Sequence, residues 1–393
     1  MRRLWTTAAI VVALLSGVGL LSTGRFLFAP EARSLYPGLP GVPHPTYERT
    51  IDLREIGRSW WVLRLTYSPD GQYLGMIVSD TARSDIVIWD IRGNKLQTRI
   101  PGRSNFGIAP QVELRWSPDG RSITIGSGAS DLPLPVWDPL TGAVQKELAV
   151  DRQCRWARYN RDGSRLLLST ATFQTQGYSA GFRVYDTQSW NFKDFDGGGL
   201  FIETQAWTAD DEVLVAGAWP WRQADPNHTL NGLSPKPMDI VARLIDPTGH
   251  RPPQSAIIAP SVPTGVAGAP YARTFWIDEA VTDYPGDRVS LQIGSILDVK
   301  TLKNWRYASD DDIRAGKVPG MSQAFSPDGR YLYLIDDVRF GRGRTAQNAV
   351  LDSYSGSIVG RFDGGHSGLA VSPDKQHIAV GNGYASVAIF KVQ

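Results

Sequence analysis

"WSPDGRSITIGSGASDLPLPVWDPLTG", residues 116–142, begins with a turn tetrapeptide and ends with a Trp-Asp pair and a second turn. Ser can bond a backbone N–H ahead of it, Pro presets φ near −65°, and Gly accepts a positive φ. Ser117-Pro118-Asp119-Gly120 is therefore typical of a hairpin turn. The alternating apolar residues that follow it predict a short strand. The segment predicts antiparallel strands joined by tight turns.

Tetrapeptides of this type recur along the chain. They start at Ser68, Ser117, Asn160, Thr208, Ser326 and Ser372, which lie 49, 43, 48, 118 and 46 residues apart. The interval of 118 residues is about two periods and predicts one degenerate unit within it. A large apolar residue precedes each turn: Tyr67, Trp116, Tyr159, Trp207, Phe325 and Val371. Because every unit has one, we expect this column to pack between neighbouring units rather than to hold a cofactor.

The third strand of each unit ends in a large residue followed by Asp. These pairs are Trp89-Asp90, Trp137-Asp138, Tyr185-Asp186, Ile245-Asp246, Leu297-Asp298 and Leu351-Asp352. We expect the carboxylate to accept backbone N–H groups of the turn that follows, as in "DPLTG" and "DSYSG". A structural role is therefore predicted for two groups of aspartates: Asp70, Asp119 and Asp328 in the tetrapeptides, and Asp90, Asp138 and Asp352 at the strand ends.

Four strands in every 40 to 50 residues or so are typical of a β-propeller blade. The third-strand endings, with Ile389-Phe390 as the last, number seven; blade five is located by Leu297-Asp298 alone. The last unit stops after its third strand, which would leave a bare sheet edge. Residues 46–54, "TYERTIDLR", are similar to the fourth strands, so we expect them to complete blade seven. The predicted fold of residues 46–393 is all-β, a seven-bladed β-propeller of four-stranded antiparallel blades.

From about Trp61 to the end of the chain, this pattern resembles the WD-repeat family. The resemblance rests on Trp89-Asp90, Trp137-Asp138 and a Gly-His pair at residues 365–366, and the pattern is also similar to the diverged bacterial propellers of the TolB type. It implies that the connections between second and third strands share one face with the connections that lead into each blade. It also implies that this face is the elaborated one and that His366 makes a structural hydrogen bond there.

Residues 1–28 predict an N-terminal transmembrane helix or signal segment ahead of the propeller. The chain opens with Arg2 and Arg3 and is uncharged over residues 4–24. As a helix, residues 4–21 would span about 27 Å, close to the hydrocarbon thickness of a bilayer. We expect a membrane anchor, while Ser22 and Gly24 leave open a cleaved signal peptide. The propeller would then lie outside the cytoplasm, periplasmic or extracellular, or be secreted after cleavage.

Residues 29–45 contain five prolines and predict an extended spacer between the anchor and the propeller. The formal net charge is +2, and the first 34 residues account for +3 of it with four arginines and one glutamate, which leaves −1 for the remainder. We therefore expect no nucleic-acid partner. Cys154 is the only cysteine and the five histidines lack a metal-ligand spacing, so neither a metal nor a cofactor is predicted.

Two segments are candidates for binding. Blade four carries extra residues in "GAWPWRQADPNHTLNGLSPKPM", residues 217–238, where Trp219 and Trp221 flank a proline. Either these rings are contact anchors for a partner, or the segment folds back and they cap the blade. Blade six has "DDVRFGRGRTAQ" in the equivalent place, where Arg339, Arg342 and Arg344 form either a site for an anionic partner or a solvated loop.

The sequence favours a non-catalytic, membrane-tethered propeller that acts as a binding scaffold for a protein or a small ligand on its loop-rich face. It offers no nucleophile, metal or cofactor constellation in one segment. The alternative is an exported propeller enzyme of the hydrolase or lactonase type, with its site at the mouth of the central channel. The inner-strand candidates for that site are Glu113, Arg155, Glu203, Asp278, Glu279 and His366.

Overall fold

The computed structural model of the protein describes most of the chain from residue 42 onward. The described residues are 42–57, 60–80, 83–102, 113–126, 133–150, 154, 156–174, 177–219, 233, 235, 239–259, 281–282, 288–291, 295–307, 322–335, 348–362, 364, 367–382 and 385–393. The predicted anchor and most of the spacer lie outside these residues. The part of the chain that the structure describes contains no helix with the length and hydrophobicity needed to cross a bilayer.

Twenty-eight strands lie within the described residues, and they form seven four-stranded antiparallel sheets. Blade 1 contains β2 Trp61–Tyr67, β3 Tyr73–Ser79, β4 Ser84–Asp90 and β5 Lys95–Ile100, and blade 2 contains β6 Leu114–Trp116, β7 Ile123–Ile125, β8 Leu134–Trp137 and β9 Val144–Leu148. Blade 3 contains β10 Ala157–Tyr159, β11 Arg165–Gln174, β12 Gly177–Asp186 and β13 Phe192–Asp196. Blade 4 contains β14 Phe201–Trp207, β15 Val213–Ala218, β16 Ile240–Ile245 and β17 Gln254–Ala259.

Blade 5 contains β18 Val281–Thr282, β19 Arg288–Leu291, β20 Ser295–Asp298 and β21 Asn304–Arg306. Blade 6 contains β22 Ser322–Phe325, β23 Tyr331–Ile335, β24 Asn348–Asp352 and β25 Ile358–Phe362. Blade 7 contains β26 Ser367–Val371, β27 His377–Gly381, β28 Ser386–Val392 and β1 Pro45–Asp52. Each blade follows the chain order except the last, in which β1 is the outer strand beside β28.

The first strand of each blade lies beside the first strand of the next, from β2 through β6, β10, β14, β18 and β22 to β26, and β26 lies beside β2. These inner strands therefore surround a central axis. Because the strands alternate in direction, the connections between first and second and between third and fourth strands lie on one face, here the turn face. The connections between second and third strands and those between blades lie on the opposite face, here the loop face.

The chain closes the ring by pairing its two ends. β1 runs antiparallel to β28, from Pro45 opposite Val392 to Asp52 opposite Ser386. This is the pairing expected from the similarity of residues 46–54 to the fourth strands. Beyond the strands, the His44 N–H donates to the Gln393 carbonyl at 3.1 Å. Closure removes the sheet edge that blade 7 would otherwise expose.

The core is divided among the interfaces between blades. The buried apolar side chains that the structure describes form seven clusters, and each joins two consecutive blades around the ring. The aromatic column belongs to these interfaces: Trp116, for example, packs with Ile77 and Ile88 of the preceding blade and stacks on Tyr73 with ring centroids 6.5 Å apart. Full burial of such a side chain stabilises the fold by about 1.5–3 kcal/mol.

The predicted class, an all-β propeller of four-stranded antiparallel blades, is confirmed. The outer strands β9 and β13 are mostly exposed, whereas β7, β8 and β15 are buried along their whole length. Strands buried on both faces are nearly continuous apolar runs, as in "VLVAGA" of β15.

Candidate binding site at the loop face and central channel

The turn face is built from tetrapeptides whose polar groups bond one another. In blade 1 the Ser68 hydroxyl donates to Asp70 Oδ1 at 2.5 Å, and the same oxygen accepts the Gln72 N–H at 3.0 Å. The Tyr73 N–H donates to Ser68 Oγ at 2.9 Å, and Gly71 takes φ of 72°. The tetrapeptides that begin at Ser117, Ser326 and Ser372 repeat this network.

The network holds the carboxylates of Asp119 and Asp328 in their ionised form. Burial would raise the pKa of Asp119, but the hydrogen bond from the Ser117 hydroxyl and the Arg121 N–H outweigh it and lower the pKa. The same balance lowers the pKa of Asp328, where Ser326 donates and Lys375 of the next blade adds its charge with Nζ 3.3 Å from Oδ2. These aspartates are therefore fixed parts of the turns, the role that the sequence predicts for them.

Neighbouring turns pack directly on one another. A methyl group added at Gly71, Gly120 or Gly163 would lie 3.2 to 3.7 Å from a proline ring of the preceding blade's turn. Those prolines are Pro373, Pro69 and Pro118, so the contacts run without interruption from blade 7 to blade 3. The inner part of the turn face is thus closed by its own residues.

The aspartates that end the third strands accept backbone hydrogens of the following turn. The Gly93 N–H donates to Asp90 Oδ1 at 2.8 Å, and the Leu140 and Thr141 N–H groups donate to Asp138 Oδ1 at 2.8 and 3.0 Å. Asp186, Asp246, Asp298 and Asp352 make equivalent contacts. Burial opposes ionisation of Asp352, but its backbone hydrogen bonds outweigh burial and lower its pKa.

Connections on the two faces differ in length. Between the described strands, the connections on the turn face are between four residues long, as at residues 91–94, and eight residues long, as at residues 246–253. On the loop face, residues 101–113, 219–239, 260–280, 307–321 and 336–347 connect successive strands. Long connections within a compact fold are commonly functional. The loop face is therefore the elaborated face, as the resemblance to WD-repeat propellers implied.

Trp219 stands where blade 4 meets one of the two longest of these connections, and its side chain is buried. It is 1% exposed and packs with Leu167, Phe182 and Trp207 in the interface between blades 3 and 4. The backbone N–H of Trp219 donates to the backbone carbonyl of Asp239 at 2.8 Å. The prediction that Trp219 is a contact anchor is wrong, because one further antiparallel pair beyond β15 carries this side chain into the core. For Trp219 alone the burial agrees with the alternative in which the ring caps the blade.

The other binding candidates lie outside the described residues. These are Trp221 and the three arginines of blade six, Arg339, Arg342 and Arg344. Of the channel-mouth candidates, Arg155, Asp278, Glu279 and His366 also lie outside them, and Glu203 is described only as a backbone position of β14. Glu113 is described, and it is the centre of a polar cluster.

At blade 1 the described rim of the loop face is an ordered polar assembly. Trp60 is 4% exposed, and the guanidinium groups of Arg83 and Arg99 lie 5.3 and 5.0 Å from the centroid of its ring. Arg99 Nε donates to the buried carboxylate of Asp85 at 2.7 Å, and the Gly102 N–H donates to the other oxygen at 3.1 Å. Paired charges and hydrogen bonds thus fix the strand ends from which connections leave this blade.

The central cluster joins the inner strands of blades 2, 3 and 4. Arg158 Nε donates to Glu113 Oε2 at 2.7 Å and Arg158 Nη2 donates to Glu113 Oε1 at 3.1 Å, while Arg115 Nη2 also donates to Oε1. Arg158 Nη1 donates to the Gln205 carbonyl, and Gln205 Nε2 donates to the Gly181 carbonyl at 3.1 Å. Burial would raise the pKa of Glu113, but the two guanidinium groups outweigh it and lower the pKa to about 2.

This geometry commits Glu113 to ion pairing. Both carboxylate oxygens accept hydrogen bonds from arginine, and the low pKa keeps the group ionised, whereas a general acid or base needs a pKa near the working pH. The sequence-based reasoning missed Arg115 and Arg158. A signal was present: Arg115 follows Glu113 by two residues, and Arg158 occupies the same register in the next repeat, one residue before the aromatic position.

Over the described parts of the chain, no group of three or more His, Cys, Asp and Glu residues is placed to hold a metal ion. Cys154 is buried, and its thiol donates to the Trp156 carbonyl with the two atoms 3.2 Å apart.

Comparison with known proteins supports the fold. The chain is similar to the crystal structure of the β-propeller domain of Cps50 (Swd1) from Myceliophteria thermophila, with a TM-score of 0.57 and 14% sequence identity over 89% of this chain and 100% of that one. At this identity the similarity concerns the fold alone. No family model matches the sequence. No curated protein matches it either. The described part of the chain has the fold of a β-propeller.

Proposed function

We propose that the protein is a non-catalytic scaffold that binds a protein partner through the loop face of its propeller. The observation that carries the proposal is the unequal length of the connections between the described strands: none on the turn face exceeds eight residues, whereas five on the loop face have 12 to 21. Rigid scaffolds commonly carry their binding residues on such connections. Several blades contribute long connections, which suits a broad protein surface better than a small molecule.

The positions of the chain ends support an orientation for this scaffold. Gln376 lies in the turn between β26 and β27, and its carbonyl accepts the Val392 N–H at 2.7 Å, so β28 ends at the turn face. β1 is antiparallel to β28 and therefore begins at that face with Pro45. The N-terminal segment enters the propeller at the turn face. A tether there leaves the loop face open to a partner.

We propose further that residues 1–28 anchor the protein in a membrane, with the propeller outside the cytoplasm. The uncharged run over residues 4–24 supports this proposal, because its length suits a bilayer. Membranes washed with alkaline carbonate should retain the full chain, and protease added to the outside of intact cells or spheroplasts should degrade the propeller. Release of the intact, uncleaved chain by carbonate would contradict the anchor.

The binding proposal can be tested by comparing the two faces. A photo-crosslinking amino acid in place of Glu55, exposed beside β1 on the loop face, should capture a partner in intact cells. The same amino acid in place of Arg121, exposed in a turn of the opposite face, is the matched control and should not. Equal capture from the two positions would contradict a loop-face site.

A deletion makes the test specific to blade 4. Because the Trp219 N–H already bonds the Asp239 carbonyl, replacing residues 222–237 with a short Gly-Ser link leaves β15 and β16 joined. We expect this variant to unfold at the same urea concentration as the parent and to lose capture from position 55. Undiminished capture by the folded variant would exclude that connection from the binding surface.

A further inference from the structure

The cluster formed by Glu113, Arg115 and Arg158 has a net positive charge. Glu113 carries one negative charge, and Arg115 and Arg158 carry one positive charge each. Arg158 uses three of its nitrogens, two toward Glu113 and one toward the Gln205 carbonyl, and its side chain is 8% exposed. Its charge is therefore paired within the protein. The surplus charge belongs to Arg115.

Arg115 also has unused donors. A guanidinium group offers five N–H bonds, and the only hydrogen bond observed for the Arg115 side chain runs from Nη2 to Glu113. Among the described residues, Arg115 Nε is buried without a partner, and so is Oε1 of the fully buried Gln205. Buried polar atoms are usually paired, so two unpaired ones in a single cluster indicate a ligand or an ordered solvent group.

The surroundings leave access to Arg115. Its side chain is 38% exposed, although the inner strands β2 and β10 flank its own strand. The exposed part therefore faces the centre of the ring. The corresponding inner-strand position carries only small side chains in four other blades, namely Thr66, Ala206, Ala324 and Ala370.

We propose that Arg115 binds a small oxyanion, a carboxylate or a phosphate group, inside the ring. Guanidinium presents parallel N–H donors that match the oxygens of such groups, and binding is strongest where water is partly excluded. The ion pair between Glu113 and Arg158 is the positioning element, because it holds Glu113 against Nη2 of Arg115. This anion site is separate from the proposed binding of a protein partner on the loop face, and the two proposals do not depend on each other.

Isothermal titration calorimetry on the full chain in detergent tests this proposal. The probes are inorganic phosphate and sodium acetate, each titrated at an ionic strength held constant with sodium chloride. We expect at least one of them to bind, with a Kd that rises at least tenfold in Arg115→Ala and less in Arg115→Lys, which keeps the charge but loses the planar donors. Arg121→Ala, an exposed arginine of the same blade, is the control and should leave the Kd unchanged.

The two probes distinguish the sources of the anionic group. Binding of phosphate alone indicates a phosphorylated ligand, binding of acetate alone indicates a carboxylate, and binding of both indicates a site for oxyanions in general. Arg115→Gln is the second variant should Arg115→Ala fail to fold, since it removes the charge and keeps a polar side chain. Binding of neither probe, or an equal Kd in the parent and the Arg115 variants, would overturn the proposal.

Discussion

Ile51→Ala should weaken the closure of the ring. Ile51 is fully buried at the end of β1 and contributes to the cluster between blades 7 and 1. Truncation of a buried isoleucine to alanine costs about 2–5 kcal/mol, because transfer energy is lost and a cavity remains. Since the only strand that β1 pairs with is β28 of blade 7, the loss of protection should be greatest in that blade.

Thr50 provides the matched control on the same strand. Its side chain is exposed, because successive residues of a strand point to opposite faces, and its hydroxyl makes only an exposed contact with the Tyr47 hydroxyl at 2.9 Å. Thr50→Ala should change the free energy of unfolding by about 0.5 kcal/mol or less, as surface substitutions usually do.

Urea unfolding and amide hydrogen exchange measure the two parts of this prediction. Urea unfolding should give a loss of about 2–5 kcal/mol for Ile51→Ala and almost none for Thr50→Ala. Exchange should accelerate in β28, which pairs with β1, and remain unchanged in β12 of blade 3. Equal destabilisation by the two substitutions, or exchange that accelerates equally in β28 and β12, would refute the role assigned to β1.

Two further predictions concern the core and the central cluster. Trp219→Ala should destabilise the protein by about 3–5 kcal/mol, whereas Tyr354→Ala, at a ring that is 67% exposed, should change its urea midpoint little. Glu113 has a pKa of about 2 in place of its ordinary 4.5, so its ionised form contributes stability on the order of 3 kcal/mol above about pH 4.5. That contribution is lost as the pH falls from 4.5 to 2. Glu113→Gln should therefore be less stable than the parent at pH 7, with a difference that shrinks over this range when unfolding is measured at several pH values.

Local chemistry explains why much of the fold could be predicted from the sequence. A Ser-Pro-Asp-Gly turn needs only its own residues: the Ser117 hydroxyl, the Asp119 carboxylate and the nearby backbone form a closed network. The same is true of Asp138 and the turn after it. The repetition of these turns then predicts the whole fold. Units of similar size that each carry an aromatic residue at the same position can bury those residues only by packing against one another.

The candidate site was harder to predict because its contacts are not local. Glu113 and Arg158 are 45 residues apart and meet only when blades 2 and 3 are side by side. The position of Trp219 depends on one hydrogen bond to Asp239 across a long connection, and no local pattern distinguishes a ring that folds back from one that projects outward. Period-two spacing identified the inner-strand positions, but the pairing of their charges is a property of the assembled ring.

The two faces of the propeller meet different physical demands. On the turn face, serine hydroxyls, aspartate carboxylates and backbone N–H groups satisfy one another, and glycines pack on the prolines of the preceding blade. β1 begins and β28 ends at the outer edge of that face. On the loop face, described strand ends such as the Trp60 and Asp85 assembly form a rigid rim from which longer connections depart. The proposed arrangement, a tether on the turn face and a partner on the loop face, therefore rests on one observation, the pairing of β1 with β28.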